Sequence, residues 1–211
     1  MNTEVERRAR LLPAAWIEKG SALADRFSRT LVRLKVSPTS LSVLGLMAGA
    51  GACLSFAAWR PALAAALIIV CGVFDVLDGK VAKNADKMTY FGAILDSSLD
   101  RYSEFFIYAG LAYHFRQNWG LWLMFLAFCG STMVSYTRAR AEGLGIDCPI
   151  GIMQRAERLI LLSLGAVAGA VLGVADVTIL AVAIVIAAVS NFTAFQRIFY
   201  VRRFEKDRRP S

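Results

Sequence analysis

The chain has 211 residues, 57% of them hydrophobic, with a formal net charge of +8 and a mean hydropathy of +0.52. This is far more apolar than a soluble domain of this size needs, so the composition points to a membrane protein. The basic excess follows the flanks of the apolar segments, which accounts for it without a nucleic-acid partner.

From the N-terminus, residues 1–36 are charged throughout, and no apolar stretch precedes a small-residue cleavage site, so no signal peptide is expected. Within them Leu12, Trp16, Leu23, Phe27, Leu31 and Leu34 recur at roughly helical spacing opposite Lys19, Arg26, Arg29 and Arg33. That pattern predicts an amphipathic helix lying in the membrane interface. Val36-Ser37-Pro38-Thr39 breaks it and is suited to starting a new helix.

Six apolar segments follow, at about 38–59, 61–81, 91–114, 119–137, 159–175 and 177–198, each near the roughly 20 residues a transmembrane helix needs. The expected fold is therefore an all-α integral membrane protein, with six transmembrane helices and the N-terminal interfacial helix. It divides into an N-terminal cytoplasmic region (1–36), a six-helix membrane domain (37–199) and a basic tail (200–211).

Eight Lys and Arg residues precede the first segment, Lys80, Lys83 and Lys87 lie between the second and third, and Arg138, Arg140, Arg155 and Arg158 flank the connection between the fourth and fifth. The opposite side receives Arg60 and Arg116. This asymmetry predicts a cell-membrane protein with both termini in the cytoplasm. The cysteines, Cys53, Cys71, Cys129 and Cys148, have neither CxxC pairing nor zinc-ligand spacing and read as packing residues. His114 is the only histidine, so a histidine-based triad or metal cluster is not available.

The carboxylates Asp75 and Asp78 fall near the cytoplasmic end of the second segment, and Asp96 and Asp100 near the cytoplasmic start of the third. Each pair has a spacing, i, i+3 or i, i+4, that puts both members on one helical face. Four converging carboxylates beside lipid repel one another unless cations neutralise them. Oxygen donors without His or Cys select a hard divalent ion, Mg²⁺ or Mn²⁺ before Zn²⁺. The alternative is pairing with Lys80, Lys83, Lys87 and Arg101, which suits a single aspartate better than two facing pairs. Gly79 and Gly92 leave room for a close approach, and Lys83 supplies a charge that reaches a phosphate. The combination describes a site that handles phosphate.

These residues read Asp75-x2-Asp78-Gly79-x2-Ala82-Lys83-x8-Gly92-x3-Asp96-x3-Asp100. The pattern resembles the defining motif of the CDP-alcohol phosphatidyltransferase family, D-x2-D-G-x2-A-R-x8-G-x3-D-x3-D, and departs from it only at Lys83, where the family has arginine. Lysine keeps the charge and loses the bidentate fork. The resemblance implies that Asp75, Asp78, Asp96 and Asp100 bind two divalent ions, that Gly79, Ala82, Lys83 and Gly92 line the CDP site, and that Asp100 acts as general base. CDP-diacylglycerol would donate its phosphatidyl group to an alcohol, with release of CMP. Pro38, Thr39 and Ser42 resemble a proline-polar-x-x-hydroxyl element that many members carry near the nucleotide. A homodimer is also implied.

Ser135, Arg138, Arg155, Arg158 and Arg197 lie towards the same membrane side as the aspartates. SYTRARAEGLG and QRAERL resemble the SYxKARAE and RAER segments of bacterial phosphatidylinositol-phosphate synthases, with Arg138 in place of the lysine. An acceptor that already carries a phosphate needs such cations, which favours inositol 1-phosphate, with glycerol 3-phosphate or another polar alcohol as the alternative. A cation transporter is the competing class. Its carboxylates would be expected near the midplane, often between inverted repeats, and none is visible here.

Overall fold

The computed structural model describes residues 14–208, with side chains described from 22 to 206. Among the described residues all regular structure is helical. It comprises α1 (Ala14–Arg33), α2 (Pro38–Ala57), α3 (Pro61–Asn84), α4 (Tyr90–His114), α5 (Gly120–Glu142), α6 (Arg155–Leu172) and α7 (Ala175–Arg208).

The helix boundaries follow local chemistry. Proline opens α2 and α3, where its missing N–H is not needed and its fixed φ suits the first turn. Thr89 caps α4 by accepting the Gly92 N–H at 3.0 Å. Gln154 and Glu157 form a reciprocal capping box at the start of α6, and Gly173 ends that helix with φ of 71°.

The apolar composition appears as helices longer and greasier than a soluble core requires. Four of them, α2, α3, α5 and α7, are long and apolar enough to cross a membrane. Composition alone thus qualifies four spans where six were expected. Helices α4 and α6 are excluded by their charges: Asp96, Asp100, Arg101 and Glu104 on α4, and Arg155, Glu157 and Arg158 on α6. Asp96, Asp100, Arg101 and Arg155 among them cluster at one end of the bundle.

Six helices close a ring. Helix α2 packs on both α3 and α4, α4 on α5, α5 on α7, α7 on α6, and α6 back on α3. The carboxylate-bearing α3 and α4 touch each other only lightly, because α2 stands between them as their common support. Small residues make the approach of α2 to α4 possible: a Cβ on Gly110 would stand 2.4 Å from the Cys53 carbonyl oxygen, and one on Gly49 would stand 2.9 Å from the Ser103 Cβ. Ala52, Phe56, Ile68, Ile107, Leu111, Met124, Ile179 and Ile186 fill the core.

Helix α1 packs on α3, with Lys80 Nζ 2.5 Å from Asp25 Oδ1 and Asn84 Nδ2 donating to Ser28 Oγ at 2.7 Å. Leu23 and Phe27 on α1 and Leu34 just after it remain exposed, as do Arg26, Arg29 and Arg33. Leu12 and the side chains of Trp16 and Lys19, also assigned to this amphipathic pattern, lie outside the described residues. Residues 200–208, expected as a tail, continue α7 as helix, and 209–211 lie outside the described residues. At the far end of the bundle from the aspartates, Trp59 stacks on His114 with ring centroids 3.4 Å apart, and His114 Nε2 lies 3.1 Å from Asp176 Oδ1.

Candidate active site

The connection between α3 and α4 is short, so Asp75 and Asp78 on one side and Asp96 and Asp100 on the other stand about two to three turns from it, at comparable depth. Carboxylate oxygens of Asp75, Asp78 and Asp96 lie within 4.8 Å of one another. Asp78 is buried, Asp75 and Asp96 are half-buried, and Ser42 Oγ donates to Asp78 Oδ2 at 2.7 Å. Ser42 therefore orients a carboxylate, and Thr39, exposed one turn earlier on α2, belongs to the same end of the bundle.

Asp100 lies outside this trio and faces Arg155. The Arg155 Nη1 atom is 2.5 Å from Asp75 Oδ2 and 2.9 Å from Asp100 Oδ1, and Nη2 donates to Ser103 Oγ at 3.1 Å. One guanidinium nitrogen thus bridges the two helices where their carboxylates converge. Ser103, one turn after Asp100 on the same face and not singled out from the sequence, and Cys71, one turn before Asp75 and read from the sequence only as a packing residue, line this space. Their helical spacing to the aspartates was the available signal.

The donor set fits a metal. Three carboxylates from two helices, oxygen-only and backed by a serine hydroxyl, are what a hard divalent cation requires. Gly79 and Lys83 are exposed on the last turns of α3, Ala82 is half-buried between them, and a Cβ on Gly79 would meet nothing within 4 Å. Gly92 serves the α4 cap, and a Cβ there would stand 3.0 Å from Thr89 Oγ1.

A cavity of about 230 Å³ adjoins this group, lined by Ser135 and Arg138 of α5, Arg155 of α6, Arg197 of α7 and Arg101 of α4. Arg155 belongs to both spaces and forms their shared wall. Arg197 is buried; its Nε donates to the Ile150 carbonyl at 2.8 Å and its Nη1 to the Val134 carbonyl, which ties the α5–α6 connection to α5. Arg138 is exposed and pairs with Glu142 at 2.8 Å.

Of the five residues expected to hold the acceptor, four line this cavity. Arg158 does not. It is 1% exposed and its Nε donates to Glu104 Oε1 at 2.8 Å, so it sits behind the site as half of a buried ion pair joining α4 and α6. Its i, i+3 relation to Arg155 put both on one side of α6, but only Arg155 reaches the opening.

Two helices presenting facing carboxylates beside a cationic cavity define an enzyme that handles phosphate esters with divalent metal. Residues 35–199 match the CDP-alcohol phosphatidyltransferase family, and the chain belongs to that family. Among its relatives, the archaetidylinositol phosphate synthase of Methanothermobacter thermautotrophicus is 40% identical over 172 residues, covering 80% of this chain and 85% of the relative. The phosphatidylinositol phosphate synthase of Mycobacterium tuberculosis is 33% identical over 144 residues, covering 66% of each chain. Crystal structures of a phosphatidylinositol phosphate synthase from M. tuberculosis superpose closely. With CDP-DAG bound, the TM-score is 0.75 at 28% identity, covering 84% of this chain and 92% of that one. In complex with manganese and citrate, it is 0.74 at 27% identity, covering 83% and 87%. The chain is thus a metal-dependent membrane transferase, and the cation-transporter alternative falls.

Proposed function

We propose that the protein transfers the phosphatidyl group of CDP-diacylglycerol to inositol 1-phosphate, forming phosphatidylinositol phosphate and CMP. The single observation that carries the acceptor assignment is the cavity in which Ser135, Arg138, Arg155 and Arg197 stand beside the carboxylates. A neutral alcohol has no use for several arginines, whereas a phosphomonoester dianion does. Relatives named for archaetidylinositol phosphate and for phosphatidylinositol phosphate differ in the lipid part of the product and share inositol phosphate, which supports the same acceptor. Glycerol 3-phosphate is the alternative with the same charge.

In this reading Asp100 accepts the proton of the acceptor hydroxyl, the oxygen attacks the lipid-bearing phosphorus of CDP-diacylglycerol, and the anhydride bond to CMP breaks. Arg155 orients Asp100 through its 2.9 Å contact. Asp75, Asp78 and Asp96 would hold one Mg²⁺ or Mn²⁺, and Asp100 together with Asp75, which already converge on one cationic nitrogen, would hold a second. Divalent ions held there would supply positive charge to neutralise the pyrophosphate and stabilise the leaving group. Lys83, Gly79, Ala82, Gly92, Thr39 and Ser42 would contact the CDP group. All six helices of the ring would cross the cell membrane, with α1 in the cytoplasmic interface, both termini and the site facing the cytoplasm, and two chains forming a homodimer.

The test is CMP release by purified protein in detergent micelles from CDP-diacylglycerol and a panel of acceptors. Turnover with inositol 1-phosphate is expected, is lost on chelation, and returns with Mg²⁺ or Mn²⁺. Asp96→Asn is expected to lower it about a hundredfold or more, as loss of a charge that stabilises the reacting phosphates should. No CMP with any acceptor would sink the enzyme reading for this substrate. Turnover with glycerol 3-phosphate and none with inositol 1-phosphate would replace the acceptor.

A further inference from the structure

The geometry points to Arg101 as a further specificity-determining residue, one that grips the phosphate of the acceptor and so places its hydroxyl against Asp100. This rests on the reading of the acceptor as a phosphorylated alcohol and names a contact that the sequence motifs do not assign.

Four arginines line the acceptor cavity, and their existing bonds distinguish them. Arg197 is committed to two backbone carbonyls, Arg155 to the Asp75 and Asp100 carboxylates, and Arg138 to Glu142. Arg101 is the least committed. Its Nη1 donates to the Ser97 carbonyl at 3.0 Å, its Nη2 makes only a long ion pair with Asp100 Oδ2 at 3.7 Å, and its Nε, like that of Arg155, is buried without a hydrogen-bond partner, so that Arg101 holds no carboxylate at hydrogen-bond distance. A buried guanidinium donor without an acceptor is costly, and a phosphate oxygen entering the cavity supplies one.

Arg101 also follows Asp100 directly on α4, so the residue read as the base and this cation come from one rigid helix turn. A phosphate held at Arg101 therefore fixes the distance from the acceptor's anionic end to the carboxylate that takes its proton. Arg138 and Arg155 stand on two other helices around the same space, so a dianion there is held from three sides. An unphosphorylated polyol makes none of these contacts.

The experiment measures CMP release with CDP-diacylglycerol and inositol 1-phosphate for the unsubstituted protein, Arg101→Gln and Arg101→Lys. A charged hydrogen bond is at stake, so the KM for inositol 1-phosphate should rise about tenfold or more in Arg101→Gln. Arg101→Lys, which keeps the charge and loses the fork, should fall between the two. The KM for CDP-diacylglycerol should stay within about twofold in both, which also shows that the variants are folded. Inorganic phosphate, competing with the acceptor in the unsubstituted protein, should compete about tenfold more weakly in Arg101→Gln. An unchanged acceptor KM, or an equal rise in both KM values, overturns the assignment while leaving the proposed reaction intact. Absence of turnover of any phosphorylated alcohol by the unsubstituted protein overturns both.

Discussion

Ser42 illustrates how a side chain outside the carboxylate pattern governs it. It sits on α2, the helix supporting both α3 and α4, and its hydroxyl holds Asp78 at 2.7 Å. A carboxylate oriented by such a bond meets its metal without reorganising, and loss of a partner of this kind typically costs 10–100-fold in metal affinity. Ser42→Ala is expected to raise the Mg²⁺ concentration for half-maximal CMP release about tenfold, with activity largely recovered at saturating metal. A titration of initial rate against Mg²⁺ measures this. An unshifted midpoint would mean that the bond leaves the metal group unaffected. Arg158 carries the opposite lesson. Paired with Glu104 and almost fully buried, it belongs to the structure behind the cavity. Its charge and spacing matched those of its neighbour Arg155, and sequence alone offers no way to tell which of two arginines on one face reaches an opening.

At the level of helices, the site depends on how closely α2 approaches α4. Gly110 lies directly against the Cys53 backbone, and the obstructing atoms are main chain, which has no rotamer to change. Gly110→Ala must therefore push the helices apart, at a cost of about 1–3 kcal/mol for an overpacked interface. The expected readout is an unfolding midpoint in detergent lowered by several degrees, together with a lower kcat, since Ser103 and Asp100 ride on the displaced helix. An unchanged midpoint would show that α4 shifts without strain. The charges that exclude α4 and α6 from the apolar spans have a compensating arrangement: Glu104 meets Arg158, and Asp100 meets Arg155. Charged residues facing a bundle interior are tolerated when paired in this way. A hydropathy threshold registers the charges and is blind to the partners.

For the molecule as a whole, the ring places the carboxylates and the cationic cavity at the end that carries Lys80, Lys83, Arg138 and the α7 extension, and Trp59, His114 and Asp176 at the other. On the proposed topology the positive-inside tendency would orient the site towards the cytoplasm. In a cysteine-free background, Arg203→Cys should react with a membrane-impermeant maleimide only from the cytoplasmic side, and Arg60→Cys only from outside. Both positions are exposed, so accessibility does not confound the result. The reverse labelling would put the active site on the outer face.

The helical content, the membrane class and the pairing of the aspartates on helical faces were legible in the chain because each is a local property. Apolar segment length, i, i+3 and i, i+4 spacing, and the count between motif residues require no knowledge of distant partners. The assembly of the site was not local. That α2 separates α3 from α4, that one guanidinium of α6 joins Asp75 to Asp100, and that Arg101 shares a cavity with arginines of three other helices depend on ring closure between residues far apart in sequence. Ring closure is decided by which small residues let backbones touch and which buried charges find each other, and those pairings exist only once the helices have packed.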